Sequence, residues 1–398
     1  MSTIPLPRDI AGEIVLHAKD DIPTLKSLAL LSHSWLPLCR EHLFSSIDFT
    51  HPTKLQDRYT YFLSILSRHP YLARHVQSLR LRLGLNVFPY SAYRLETEPS
   101  LPDTLDSLSQ LEYFYQCGAK PSEQTSSFQS VKVEQALHRI LSLPTLSSTV
   151  FSWNANLPTT YLSTMRHVKT LTLEHVTFQD VSKSPELFPC VETLVIRVCA
   201  PQTIRILTKS AETLRYPSPL DLSHLRHFYF VPNNVAQVVM GWHLMLSVRR
   251  SLEYFEWFQA DRFSLADIDI GKLLQLQGFA IHVTPTGVSL SSLQQAVNLI
   301  SKATDSNKIR SIRICVDVTD AEMALYPEWQ ELEHLLLASR FKSLREFGIE
   351  FNKARSHFSE VSQLEGLDVR LQGFHDNIAD KFADIRAAEH VNVSIRLL

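Results

Sequence analysis

Glycine is the conspicuous shortage in this chain: 10 residues in 398, where average usage of about 7% would supply roughly 28. Neither G-x-x-x-x-G-K-[ST] nor G-x-G-x-x-G occurs, so the turns that cradle phosphate are missing. Cysteine is sparse as well. Cys39, Cys117, Cys190, Cys199 and Cys315 form no C-x-x-C pair, which reads as free thiols in a reducing compartment and not as a disulfide framework or zinc knuckle. No sign of charge dominates. Lys and Arg number 39 against 41 Asp and Glu, a formal net charge of −2, whereas a nucleic-acid binder needs a basic surplus on one surface. The longest apolar stretch, around Val238–Val248 and broken by His243, falls far short of the ~20 residues of a membrane span. The first residues, MSTIPLPRD, lack the basic and apolar regions of a secretory leader. The expectation is a soluble, intracellular chain, cytoplasmic or nuclear, acting without nucleic acid or membrane.

Catalytic signatures are absent too. There is no G-x-S-x-G turn, no H-E-x-x-H and no Cys/His set at zinc spacing. The 17 histidines are scattered, and Asp267 and Asp269 have no third carboxylate or imidazole close in sequence. No group of residues offers a nucleophile, a base and an orienting partner together. No enzymatic activity, metal or cofactor is expected.

Apolar residues, by contrast, make up 44% of the chain and charged residues 20%, enough for a large core. Residues 6–47 divide into three short helical patterns. Pro7 suits a first helical turn, followed by Ile10 and Ile14 at i, i+4 spacing with Val15 beside them. Asp20–Asp21 can cap a second helix carrying Leu25, Leu28 and Leu31. Ser32 or Ser34 can cap a third containing Trp35, Leu36, Leu43 and Phe44, with Pro37 in its first turn. So small a bundle has little interior. Apolar residues at its edge, Leu6, Pro7 and Ile10 among them, suggest a surface for a partner.

The ordered combination of Leu6-Pro7-Arg8-Asp9-Ile10, Ile14, the leucines at 25, 28 and 31, Ser34-Trp35 and Leu43-Phe44 resembles an F-box. It is most similar to the F-box-like proteins found in large numbers in mushroom-forming fungi. The resemblance covers about a tenth of the chain. It implies that residues 1–50 bind a Skp-type adaptor, and through it a cullin–RING ubiquitin ligase, with Leu6, Pro7, Ile10, Ile14, Leu28 and Trp35 as contacts.

Beyond residue 50, one spacing returns: apolar, two residues, apolar, one residue, apolar. It occurs as Val76/Leu79/Leu81, Val168/Leu171/Leu173, Val191/Leu194/Ile196, Leu225/Phe228/Phe230, Leu252/Phe255/Trp257, Leu276/Phe279/Ile281, Ile309/Ile312/Ile314 and Leu344/Phe347/Ile349, with a weaker copy at Leu146/Thr149/Phe151. From Leu171 to Phe347 the central residues are 23 to 35 positions apart. Leucine-rich repeats of about 20–29 residues have this core, one short strand followed by a helix or turn. Half of the steps fit that range and the rest are longer, and the usual Asn or Cys after the triplet is irregular. Tyr59–Leu66, Val131–Leu143, Ser291–Ser301 and Pro327–Ser339 read as helices between the strands. The expected fold is therefore α/β, a three-helix F-box-like unit followed over 51–398 by an irregular leucine-rich-repeat solenoid with a curved parallel sheet. Residues 84–147 fit poorly and read as an insertion, with Glu96–Ser109 and Lys120–Ser130 as exposed loops.

In each repeat strand the residues between the apolar ones face away from the core. That places Arg197, His227, Tyr229, Tyr254, Glu256, Phe258 and Arg313 in a row with aromatic character and mixed charge, suited to a protein target. Two readings of the row stay open: a target surface, or bulky residues beneath a loop or the C-terminal segment. The expected function is the substrate-recognition subunit of a Skp–cullin–F-box ubiquitin ligase. A repeat scaffold outside any ligase, and an enzyme or small-molecule receptor with a pocket on the strand face, remain as alternatives.

Overall fold

A computed structural model describes residues 6–51, 55–83, 95–118, 131–179, 189–208, 219–260, 265, 267–284, 291–318, 326–353, 375–387 and 390–397. The chain divides into two compact units, Met1–Pro189 and Cys190–Leu398. Among the described residues no helix is long and apolar enough to cross a membrane.

The first unit opens with helices α1 (Arg8–His17), α2 (Ile22–Leu31) and α3 (Trp35–Leu43). Asp21 caps α2, accepting from the Thr24 backbone N–H at 3.1 Å and from its hydroxyl at 2.6 Å. Ser34 stands at the start of α3 without a side-chain cap, and its hydroxyl meets that of Ser32 at 2.7 Å instead. Val15, Leu25 and Cys39, one from each helix, form a small core. Then follow β1 (Ser46–Phe49), α4 (Leu55–Arg68), β2 (Ser78–Arg82), α5 (Leu101–Ser107), β3 (Tyr113–Cys117), α6 (Val131–Leu141), β4 (Ser148–Ser152), β5 (Leu157–Pro158), α7 (Thr159–Thr164), β6 (Thr170–Glu174) and β7 (Phe178–Gln179). Strands β1, β2, β3, β4 and β6 pair side by side in that order, all parallel, and β5 pairs with β7 apart from them.

The second unit runs β8 (Thr193–Arg197), α8 (Pro201–Leu207), β9 (His227–Val231), α9 (Val235–Ser247), β10 (Tyr254–Ala260), β11 (Gly278–Thr284), α10 (Ser291–Ser301), β12 (Ser311–Val318), α11 (Glu328–Leu336), β13 (Glu346–Lys353), α12 (Ala383–Ala387) and β14 (Asn392–Leu397). Its seven strands are again parallel and ordered as in the sequence. Before β11 a 3-10 turn, Ile270–Lys272, takes the place of a helix.

The apolar triplets set this register. Leu79, Phe114, Thr149 and Leu171 align across the first unit. Leu194, Phe228, Phe255, Phe279, Ile312 and Phe347 align across the second. Every residue of the eight triplets is buried, each aliphatic or aromatic side chain contributing about 1.5–3 kcal/mol. Neighbouring repeats are also tied at the start of each strand, where one carbonyl accepts two successive N–H groups of the next repeat. Arg226 O accepts from Glu253 and Tyr254, Gln277 O from Arg310 and Ser311, and Arg310 O from Arg345 and Glu346.

Residues 84–147 are not the insertion that their composition suggests. Strand β3 stands between β2 and β4 with its own triplet, Leu111/Phe114/Gln116, all buried. Glutamine at the third position hides this copy from an apolar pattern. Glu96–Ser109 is likewise packed: Leu101, Leu105 and Leu108, on and just after α5, are buried. Lys120–Ser130 lies outside the described residues.

Carbonyls at strand ends and in the turns between elements lie outside the regular ladder, and buried ones draw on side-chain donors as well. Three buried amides supply them. Asn154 Nδ2 donates to Gln116 O at 3.1 Å and Ser152 O at 2.9 Å. Gln237 Nε2 donates to Cys199 O. Asn307 Nδ2 donates to Ile270 O at 3.2 Å and Leu273 O at 3.1 Å.

Candidate functional site

Two surfaces hold the residues singled out from the sequence. The first lies on α1–α3. Ala11 and Val15 form the buried side of α1, so Ile10 and Ile14, on the adjacent stripe, face solvent at 50% and 40% exposure. Leu6 and Pro7 are also exposed. Leu28 and Trp35 differ: both are half-buried and pack against the Val15–Leu25–Cys39 core. Leu30 and Leu31 of α2 are exposed as well, at 87% and 67%. Leu30 escapes the i, i+3 reading because its neighbours on that spacing, Ser27 and His33, are polar. A helix group whose core is already filled, yet which exposes this many large aliphatic side chains, carries a surface suited to a partner.

The second surface is the strand face of the second unit. Strand alternation and parallel register arrange it as rows. Tyr254 stands beside His227, Glu256 beside Tyr229, and Phe258 beside His282. Arg313 follows Ala280, and Cys315 stands between His282 and Glu350. Six of the seven expected residues are thus brought together on β9, β10 and β12. Arg197, exposed at the end of β8, is set apart, with Val231 beside it in register.

Glu256 is the hub. Its Oε1 lies 2.8 Å from His282 Nε2, and its Oε2 accepts from the Tyr254 hydroxyl at 3.4 Å. Burial opposes its charge, but the His282 hydrogen bond and charge, Arg313 and the Tyr254 hydroxyl together hold the carboxyl below its usual range. His282 stacks on Phe258 with ring centroids 3.7 Å apart. Tyr229 and Tyr254 lie 6.0 Å apart, centroid to centroid. Burial and the Glu256 charge raise both phenols. Small residues make the floor: Ala280, and Gly278, where a Cβ would come within 3.3 Å of the Tyr254 ring. Tyr254 can lie over β11 only because nothing projects there.

At the other side Arg313 Nε stands 3.7 Å from Glu350 Oε1, and the Cys315 thiol donates to Glu350 Oε2 at 3.5 Å. Burial, then the Glu350 charge, push the Cys315 thiol up to about 12. An attacking cysteine needs the opposite, a stabilised thiolate. The cluster is therefore built to hold and orient polar groups between aromatic walls, and its sulfur is kept a thiol. His282 falls on the face that strand alternation predicts for it, whereas Cys315 and Glu350 were not among the expected residues. Their signal is the alternation that continues past the triplet, since Val283, Val316 and Phe351 are buried and the residue before each must face the other way.

No protein-family model matches the chain, and no curated protein is significantly similar to it.

Proposed function

We propose that this chain is a substrate-recognition subunit of a Skp–cullin–F-box type ubiquitin ligase, a three-helix F-box-like unit joined to irregular leucine-rich repeats. Its α1–α3 surface docks on a Skp-type adaptor, and the strand face of the second unit holds a target protein. The observation that carries the reading is the exposure of Leu6, Ile10, Ile14, Leu30 and Leu31 on helices with a core of their own. The repeat part of the reading is supported by parallel strands ordered as in the sequence, by the apolar triplet in register, and by buried Asn154 and Cys199, each three residues beyond a triplet. Catalysis of transfer belongs, on this reading, to other subunits. The chain contributes position, because two binding surfaces on one molecule raise the effective concentration of target at the ligase.

The test is calorimetric titration of the full chain with a Skp-type adaptor, using Leu6→Ala/Pro7→Ala and Ile10→Asp variants. These side chains are exposed, so the variants keep the fold, as far-UV circular dichroism will check. Trp35→Ala needs that check most, since its ring also packs on the three-helix core. Wild-type binding that falls at least about tenfold in the exposed-residue variants supports the reading, tenfold being the weakening that loss of one modest apolar anchor produces. No binding by folded wild-type protein refutes it and leaves a repeat scaffold outside any ligase.

A further inference from the structure

In the second unit Cys190, Asp221 and His224 converge. Cys190 stands three residues before β8 and Asp221 six before β9, yet the two pair as an isolated parallel bridge. The longer of these segments must arch between the bridge and the ladder. The Asp221 carboxylate shapes that arch, its Oδ1 accepting from the Ser223 N–H at 2.9 Å, and the arch returns His224 towards Asp221.

Three donor atoms of different kinds consequently face one point. Cys190 Sγ lies 3.3 Å from Asp221 Oδ2, and His224 Nδ1 lies 3.9 Å from the same oxygen. All three donor atoms fall within 4.8 Å of one another. The backbone that carries them is anchored, because Val191, Leu220, Leu222 and Leu225 are buried. A tetrahedral zinc with Zn–S of about 2.3 Å and Zn–N and Zn–O near 2.0–2.1 Å sets its ligand atoms roughly 3.3–3.7 Å apart. The sulfur–oxygen separation already meets that, and the nitrogen–oxygen separation needs only a small turn of the imidazole. His224 has room to make it, with its side chain 67% exposed. Besides Asp221, Nδ1 meets the Ser223 hydroxyl at 3.0 Å, a rotor that can swing away.

We propose that Cys190, Asp221 and His224 form a three-ligand site for a borderline divalent cation of the zinc class, with a solvent water in the fourth position. A sulfur, an imidazole nitrogen and a single carboxylate suit zinc. They do not suit magnesium or calcium, which take sets of oxygen ligands.

Cobalt(II) titration of the reduced, chelator-treated full chain tests the site. The expected result is a thiolate-to-cobalt charge-transfer band in the near ultraviolet, saturating at one equivalent and displaced by zinc. Cys190→Ser removes the band, His224→Ala weakens cobalt binding at least about tenfold, and Cys315→Ser changes neither. Circular dichroism keeps loss of the site distinct from loss of the fold. Absence of a thiolate band in the folded wild-type chain overturns the proposal, and so does a band that survives Cys190→Ser.

Discussion

Asn307 offers a measurable test of how successive repeats are held together. It is buried in the turn that leads to β12, and its side chain makes four hydrogen bonds. Its Nδ2 donates to Ile270 O and Leu273 O in the preceding repeat, while its Oδ1 accepts from the Thr304 N–H at 2.7 Å and the Thr304 hydroxyl at 3.1 Å. Asn307→Ala removes all four of these bonds and leaves Ile270 O and Leu273 O with only the backbone N–H groups of Leu273 and Leu276. A typical intramolecular hydrogen bond contributes about 0.5–1.5 kcal/mol net, so losing four puts the expected loss at about 2–6 kcal/mol. That is a large share of a typical folding stability of about 5–15 kcal/mol. Asn307→Asp separates donors from acceptor: the carboxylate still accepts from Thr304 but faces two carbonyl oxygens with nothing to donate. It should therefore destabilise at least as much as alanine. Urea unfolding followed by tryptophan fluorescence gives the magnitude, and hydrogen exchange at residues 270–276 gives its location. If Asn307→Asp unfolds within about 0.5 kcal/mol of wild type, the span typical of a neutral surface change, the two donated bonds do not hold the repeats together and the reasoning fails.

Four further expectations follow from the packing and the charges. Phe279→Ala should cost about 3–5 kcal/mol, since Phe279 is fully buried and stacks on Phe255 at 5.3 Å; chemical denaturation measures it. Gly241→Ala, normally a gain in a helix, should instead lower the melting temperature, because the new Cβ would meet Phe230 Cε1 at 2.5 Å and overpacking typically costs about 1–3 kcal/mol. Thr149→Val should stabilise by about 1–2 kcal/mol, as the Thr149 hydroxyl is buried in the apolar row with no hydrogen-bond partner among the described residues; a lower denaturation midpoint would contradict this. Glu256, whose folded carboxyl is held below its ordinary 4.5, contributes stability that is full above that value and is lost as pH falls through the lower folded one. Glu256→Gln should therefore flatten the acid limb of the pH–stability curve, and an unchanged limb would show that His282, Tyr254 and Arg313 do not favour the ionised form.

The repeat pattern is legible in the sequence wherever apolar burial alone decides the residue type. Leu171, Phe228 and Phe279 have no other environment than the core, so their spacing reports the register directly. The pattern fails where a polar side chain occupies a core position, as Gln116 does on β3, because there hydrogen bonding and not hydrophobicity sets the identity. Helix α5 is hidden by the Ser, Pro, Thr and Glu content of residues 96–109, although Leu101, Leu105 and Leu108 keep helical spacing and Pro102 sits in the first turn, where it is tolerated. On α1 the spacing of Ile10 and Ile14 marks a shared face, but the face that is buried is the adjacent one carrying Ala11 and Val15. The Cys190, Asp221 and His224 set has no sequence signature at all. Its members come from different repeats, 31 residues apart at Cys190 and Asp221, and an unequal number of residues before two strands brings them together.

The order of strands has a consequence for how the chain acquires its structure. Within the second unit each strand pairs only with the strands immediately before and after it in sequence. Closing such contacts requires only short loops of chain, so the entropy spent before the first stabilising contact forms is small. As the polypeptide leaves the ribosome, β9 can dock on β8 before β10 has been made, and each later repeat finds its template already formed. The completed stretch ends in β14, and removing it by truncation forfeits one interface while the earlier ones keep theirs. Assembly and dismantling of this unit therefore proceed from an end, like a stack built one layer at a time.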